Sequence, residues 1–181
     1  VALLLIMGTG RRSVELFSTA KFEITGEFKV KFSGQAKTKS DENIPYEIPT
    51  LFPSEDMVLA LDSIQKSNKY VEPSLQKEDR KAVSKKVSKP LSTFVNDILD
   101  YPLVNGKRVL TFEKHRAIYA FICWETIGKH LSETEGRNPS NTAYYAEILG
   151  HSENDTQTAQ SYTNIQAEGY ESLPLVKYLH G

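Results

Sequence analysis

The chain has 181 residues, enough to bury a core without a disulfide or metal staple, and fits one domain or one domain with a tail. Its single cysteine, Cys123, cannot form an internal disulfide, which suits a reducing cytoplasm better than an oxidising compartment. With 22 basic against 23 acidic residues, the overall charge does not point to a nucleic-acid partner, so any basic surface has to be local.

The opening run Val1-Ala2-Leu3-Leu4-Leu5-Ile6-Met7 lacks a basic leader and is far shorter than the roughly 20 apolar residues that cross a bilayer. It reads as a core helix whose upstream part is missing, which makes the chain an N-terminally truncated piece of a longer protein. The helix is expected from Val1 to about Phe17, interrupted or bent at the Gly8–Gly10 pair. Lys21 to Ser33 then reads as a hairpin: Phe22 and Ile24 alternate with polar neighbours, Gly26 supplies the turn, and Phe28, Val30 and Phe32 keep a period of two. Tyr46-Glu47-Ile48 resumes as a third short antiparallel strand.

Ser54 is placed to cap a helix with Glu55 and Asp56 in its first turn, carrying Met57, Leu59, Leu61 and Ile64 to about Ser67. The stretch Lys77 to Lys89 is strongly basic, and its plain reading is a solvated helix face or loop. A helix from about Leu91 to Leu99 should bury Phe94, Val95, Ile98 and Leu99. Arg116 to Leu131 is the most apolar segment of the second half. Ile118, Phe121, Ile122, Trp124 and Ile127 are too numerous for one stripe, which predicts a central helix buried on most sides. Pro139-Ser140 starts a helix with Ala143, Tyr144, Ile148 and Leu149 that stops at Gly150, and a last short helix from about Asp155 carries Tyr162. The fold class is mainly α with a small three-stranded antiparallel β-sheet.

Several familiar sites are absent. Gly8-Thr9-Gly10 lacks the third glycine and the preceding strand of a dinucleotide fingerprint. The four histidines and one cysteine show no metal-ligand spacing. There is no Gly-x-Ser-x-Gly elbow and no P-loop. What remains are four local patterns: Thr9-Gly10-Arg11-Arg12-Ser13-Val14-Glu15-Leu16, Phe32-Ser33-Gly34-Gln35-Ala36-Lys37, His115-Arg116-Ala117-Ile118-Tyr119, and Ile148-Leu149-Gly150-His151 through Tyr162. In this order they resemble the tyrosine recombinase superfamily, and within it the protelomerase (hairpin telomere resolvase) branch, whose members carry very similar segments. The resemblance runs from about Ala2 to Ile165. It implies a tyrosine-recombinase-like catalytic domain over residues 1–165, with residues 166–181 as a tail.

By that resemblance Arg12 is the first catalytic arginine, Lys37 the catalytic lysine on the turn between the second and third strands, Arg116 the second arginine, His151 the histidine, and Tyr162 the nucleophile. Glu15 becomes a brace for Arg12. The residue types suit the chemistry. Attack on a phosphodiester gathers charge on the non-bridging oxygens, and two guanidiniums can clamp these without losing their own charge. A histidine can assist the tyrosine proton, and a lysine can protonate the departing 5′ oxygen. A covalent 3′-phosphotyrosine keeps the bond energy, so neither metal nor ATP is implied.

Taken singly, each residue has a plainer reading. Arg12 can pair with Glu15 one helical turn away, Lys37 can be a solvated lysine, His151 can cap a helix, and Tyr162 is one of nine tyrosines. Lys39 and Tyr170 stand as rivals for the lysine and tyrosine roles. Superfamily members often have a histidine or lysine three residues before the second arginine. Here that position is Glu113, with Lys114 or His115 as possible replacements.

The function implied is telomere resolution: cutting a replicated palindromic telomere junction in double-stranded DNA and closing each end as a hairpin, by a homodimer on DNA. The alternatives are a conventional integrase, a catalytically inactive DNA-binding relative, or a helical interaction domain. Lys81, Lys85, Lys86 and Lys89 are candidate DNA contacts. No membrane partner is implied, and the expected location is a prokaryotic or phage-infected cytoplasm, at the nucleoid.

Overall fold

The computed structural model describes residues 1–36, 44–67, 77–98, 103–104, 107–108, 112–136, 140–150 and 163. The N-terminal helix breaks where the glycine pair predicts. α1 (Ala2–Thr9) ends at Gly10, whose φ of 65° is the left-handed conformation that lets its amide reach the Ile6 carbonyl at 2.8 Å. A Cβ at Gly10 would meet the Tyr119 ring at 2.3 Å, so the position needs glycine for both space and backbone angle. The chain then turns through Arg11 and Arg12 into the single turn of α2 (Ser13–Leu16).

β1 (Lys21–Gly26), β2 (Lys29–Ser33) and β3 (Tyr46–Pro49) form an antiparallel sheet in that order. Val30, Phe32 and Ile48 point inward and are fully buried. Two details differ from the period-two pattern. Phe28 sits in the turn, not in a strand, and Ile24 lies exposed beside the register shift between Ile24 and Gly26. Phe32 and Tyr46 face each other across β2 and β3, edge to face, with ring centroids 5.6 Å apart.

α3 (Ser54–Ser67) closes the sheet face with Met57, Leu61 and Ile64. Ser54 is the helix's first residue and does not act as the expected cap. Its hydroxyl donates to the Gly26 carbonyl at 2.6 Å and its amide to the Glu27 carbonyl at 2.7 Å, which pins the helix to the β1–β2 turn.

The largest departure is α4 (Lys77–Ile98), a continuous helix with Pro90 inside it, where the sequence suggested a helix from about Leu91 to Leu99 preceded by a solvated helix face or loop. Val83, Val87, Leu91 and Val95 recur every fourth residue and make one apolar stripe between the lysines, and the three valines are buried. Phe94, expected to be buried, falls beside that stripe and is exposed. α4 packs on α2, where the hydroxyls of Ser13 and Ser88 are 2.8 Å apart. A two-residue ribbon, β4 (Leu103–Val104) with β5 (Lys107–Arg108), was missed in the sequence, although Asn105-Gly106 between the two pairs is a hairpin signal.

α5 (Phe112–Cys123), a π-helical turn over Trp124–Gly128, and α6 (Lys129–Glu135) form one run longer than the expected Arg116–Leu131. Ile118, Phe121, Ile122, Trp124 and Ile127 are half-buried, against expectation. The buried face is instead Ala117, Tyr119, Ala120, Cys123, Thr126 and Gly128. Small side chains there let α1 pack against α5 and α7 (Asn141–Leu149) against α5 and the π-turn. α7 starts and stops as predicted. The Ser140 hydroxyl accepts from the Ala143 amide at 3.3 Å, and Gly150 closes the helix with φ 69°.

The core divides into two clusters. Leu5, Ile6, Leu16, Val30, Phe32, Ile48 and Met57 fill the space among α1, the sheet and α3. Tyr119, Cys123, Tyr144, Tyr145, Ile148 and Leu149 join α5 to α7. The C-terminal ends of α1 and α7, which carry two of the four sequence patterns, are held to one another by side chains from both halves. Among the described residues no helix is long and apolar enough to cross a membrane.

Candidate active site

Arg12 initiates α2 in an extended conformation, with φ −71° and ψ 145°. Glu15, one turn later and fully buried, takes two bonds from it: the Arg12 amide reaches Oε2 at 2.8 Å and Nη1 reaches Oε1 at 3.0 Å. The same carboxylate accepts from the Ala36 amide at 3.1 Å. Burial alone would raise the Glu15 pKa. The guanidiniums of Arg11, Arg12 and Arg116 and the bond from the Arg12 backbone outweigh it and hold the carboxyl below its ordinary range. Glu15 is therefore ionised and orients Arg12, leaving that side chain about one-fifth exposed.

Arg116, on α5, is almost wholly buried and crosses to both helix ends. Its Nε donates to the Gly10 carbonyl at 2.6 Å and its Nη2 to that of Leu149 at 3.5 Å. Arg11 is fully buried and does a parallel job. Its Nε reaches the Thr9 carbonyl at 3.1 Å, Nη1 the Tyr46 hydroxyl, and Nη2 the Ile148 carbonyl at 2.5 Å. The guanidinium lies 4.7 Å from the Phe32 ring centroid and 5.7 Å from that of Tyr46. Burial opposes its charge, but Tyr46, Glu15 and Tyr119 outweigh that, and the pKa stays above the ordinary arginine value.

Gln35 completes the set by donating to the Gly150 carbonyl. Three consecutive carbonyls at the end of α7 thus meet side chains from three other segments: Ile148 with Arg11, Leu149 with Arg116, and Gly150 with Gln35. Helix C-termini expose carbonyls that lack intrahelical partners and carry partial negative charge, so cations and amides fit there. The result fixes the last described residue before His151.

Arg11, Arg12 and Arg116 line one cleft of about 620 Å³, whose far wall is α4, with Ser84, Lys85, Ser88, Lys89, Ser92 and Thr93. A cleft with guanidiniums on one side and lysines and hydroxyls on the other suits a phosphate chain. The residues that build it fall within a match to the telomere resolvase ResT/TelK catalytic domain family over residues 1–164.

The chain belongs to that family.

The telomere resolvase domain is 29% identical over 167 residues to the protelomerase of Yersinia phage PY54, covering 88% of this chain and 26% of that protein. It is 27% identical over 155 residues to the protelomerase of Escherichia phage N15, covering 82% and 24%. The chain thus spans about a quarter of the length of these relatives. A solved protelomerase TelA covalently complexed with substrate DNA superposes with a TM-score of 0.68 at 26% identity, over 91% of this chain and 52% of that one. The protelomerase TelK, complexed with substrate DNA, shares the fold at 24% identity, with a TM-score of 0.67 over 87% of this chain and 30% of that one. The expected fold class, mainly helical with a three-stranded antiparallel sheet on a tyrosine-recombinase-like plan, holds.

Of the residues read from the resolvase resemblance, Arg12, Glu15 and Arg116 are brought together. Lys37, His151 and Tyr162, with the rivals Lys39 and Tyr170, lie outside the described residues, as do the side chains of Lys81 and Glu113. Lys85 and Lys89 line the cleft and Lys86 does not. Lys114 is exposed and His115 buried, and neither lines the cleft. Tyr46, Tyr119, Tyr144 and Tyr145, the described tyrosines, are taken up by packing. Tyr119 donates to the Pro49 carbonyl at 2.7 Å, and burial pushes the Tyr145 hydroxyl up to about 12. None of the four suits a nucleophile that must reach a phosphate.

The sequence reading missed Arg11 and Gln35. Both stand inside the quoted patterns, but a side chain that binds distant carbonyls leaves no periodicity to read. Among the described residues no group of three or more His, Cys, Asp or Glu side chains could hold a metal ion.

Proposed function

We propose that this chain is the catalytic domain of a telomere resolvase that cuts DNA through Tyr162 and closes each strand as a hairpin. The observation that carries the reading is the shared cleft of Arg12 and Arg116 in a chain of this family. The relatives are named protelomerases, and TelA is named as covalently complexed with substrate DNA.

The chemistry runs as two transesterifications. The Tyr162 hydroxyl attacks the scissile phosphorus, a bond from Tyr162 Oη to phosphorus forms, and the bond from phosphorus to the 5′ oxygen breaks. His151 assists departure of the tyrosine proton, and Lys37 delivers a proton to the leaving 5′ oxygen. Arg12 and Arg116 hold the non-bridging oxygens as their charge grows, a contribution of about 3–4 kcal/mol per donor in comparable sites. The freed 5′ hydroxyl of the opposite strand then attacks the phosphotyrosine, restoring Tyr162 and sealing a hairpin. The phosphodiester energy is kept in the covalent intermediate, so the cycle as proposed needs neither metal nor ATP.

One copy acts per strand, which implies a homodimer on a palindromic junction in double-stranded DNA. The phage origin of the two relatives supports a site of action on phage-like DNA in the bacterial cytoplasm. The test is incubation with a palindromic telomere duplex. Sealed hairpin ends, and a DNA–protein adduct lost in Tyr162→Phe, are expected. Recombined duplexes would instead assign an integrase, and no adduct at all would remove the enzymatic reading.

A further inference from the structure

The segment that leads into Lys37 is tied down residue by residue. The Gly34 carbonyl accepts from the Thr19 hydroxyl at 2.5 Å, the Gln35 amide group donates to the Gly150 carbonyl, and the Ala36 amide donates to Glu15 at 3.1 Å. Of these ties, only Gln35 reaches the end of α7, one residue before His151 in sequence. Its loss leaves the arginine network in place, because Arg11 and Arg116 hold the neighbouring carbonyls themselves. Space around it is scarce: a Cβ at Gly150 would lie 2.5 Å from the Gln35 amide nitrogen and 2.2 Å from the Tyr46 hydroxyl. Gln35 is half-buried where it makes this bond.

We propose that Gln35 is a positioning residue for catalysis, coupling the segment that leads into Lys37 to the end of α7 so that leaving-group protonation is aligned with the phosphate held by Arg12 and Arg116. The inference rests on the reading of this chain as a DNA-cutting enzyme. Gln35 touches no substrate atom and acts through its place two residues before Lys37 in the chain. A misplaced acid slows the step that needs a proton and leaves binding alone. A shift of about 1 Å in such a group costs on the order of 100-fold in rate.

A change of leaving group separates this role from a merely structural one. In a substrate whose scissile 5′ oxygen is replaced by sulfur, the departing thiolate belongs to a thiol with a pKa of about 8.5, against the far higher value of an alcohol, and needs no acid. The full-length protein, wild type and Gln35→Ala, is assayed for adduct formation on a palindromic telomere duplex with either atom at that position. Gln35→Ala is expected to lose roughly 10- to 100-fold on the oxygen substrate. It should keep its DNA affinity, lower its thermal midpoint by no more than a few degrees, as one lost hydrogen bond would, and come within a few-fold of wild type on the sulfur substrate. Gln35→Glu, isosteric but unable to donate when ionised, should behave like alanine. Unchanged cleavage of the oxygen substrate, or an equal loss on both substrates, overturns the proposal. Absence of any adduct from the wild-type protein on both substrates overturns the underlying enzymatic reading instead.

Discussion

Arg12 and Glu15 are joined twice across one helical turn, with the amide at 2.8 Å and the guanidinium at 3.0 Å from the two carboxylate oxygens. The carboxylate is wholly buried while the guanidinium is not, so the pair has a fixed end and a free end, and the free end faces the cleft. Glu15 also stands among three arginines, which makes it the counter-charge for the whole site.

Glu15→Gln keeps the shape and removes that charge. It is expected to destabilise the fold by about 3–5 kcal/mol, the usual consequence of leaving buried charges without their partner. The pH dependence has a definite sign. The folded pKa of Glu15 is depressed, so its contribution is fully present above the unfolded value of about 4.3 and is lost as pH falls through the folded value. Urea denaturation of both proteins from pH 7 down to pH 3 should show a gap that is constant above about pH 5 and narrows below it. A gap that widens in acid would contradict the assignment.

Arg12 and Arg116 are expected to separate stability from catalysis. Alanine at either position should lower the rate of adduct formation by about 100- to 1000-fold. Lysine should rescue neither well, because a point charge cannot reproduce a fork. Arg116→Ala in addition strands the buried carbonyls of Gly10 and Leu149 and should cost about 1–3 kcal/mol of stability. Arg12→Ala leaves Glu15 with its bonds from the Arg12 and Ala36 amides and should cost less. Thermal melts beside single-turnover cleavage assays read both effects.

Gly136 and Gly150 form a matched pair for measuring steric demand at the end of α7. Both close helices with left-handed angles, φ 64° and 69°. A Cβ at Gly136 meets nothing within 4 Å, whereas at Gly150 it meets Tyr46 and Gln35. Gly136→Ala should therefore lose only the conformational cost of about 1–2 kcal/mol. Gly150→Ala should lose more and slow cleavage as well, since Gln35 must move. Equal losses for the two variants in chemical denaturation would show that the crowding at Gly150 is relieved elsewhere.

The legible parts of this fold were those written in local chemistry. Ser140 and Gly150 bound α7, Gly10 breaks the first helix, and Val30, Phe32 and Ile48 alternate, because capping and pleating are decided within a few residues. α4 was read only in its last turns, because lysines and serines dilute the spacing of Val83, Val87, Leu91 and Val95. The five large apolar residues of the α5–α6 run misled in the opposite sense: close helix packing selected the small face of Ala117, Ala120 and Cys123. At the site, motif order pointed to Arg12 and Arg116, which share one cleft, while Arg11 was hidden by its neighbour. Two adjacent arginines carry one sequence signal, but only the structure shows that both line the cleft, with Arg11 held by carbonyls and Arg12 by Glu15.

That division extends to α4, whose lysines differ in what they face. Lys85 and Lys89, one turn apart, line the cleft opposite the arginines, while Lys86, between them in sequence, does not. If the cleft holds a DNA strand, each lysine that neutralises a phosphate displaces condensed counterions, and the logarithm of affinity falls with the logarithm of salt by about 0.9 per contact on duplex DNA. Lys85→Ala with Lys89→Ala should thus weaken binding and reduce the magnitude of the salt slope by about 2, whereas Lys86→Ala should leave the slope within about 0.3 of wild type. Both proteins should melt close to wild type, because the lysine heads are solvent-exposed and the stripe of Val83, Val87 and Val95 is intact. Fluorescence anisotropy over a salt series reads the slopes directly. A double variant with an unchanged slope would move the DNA path off this wall of the cleft.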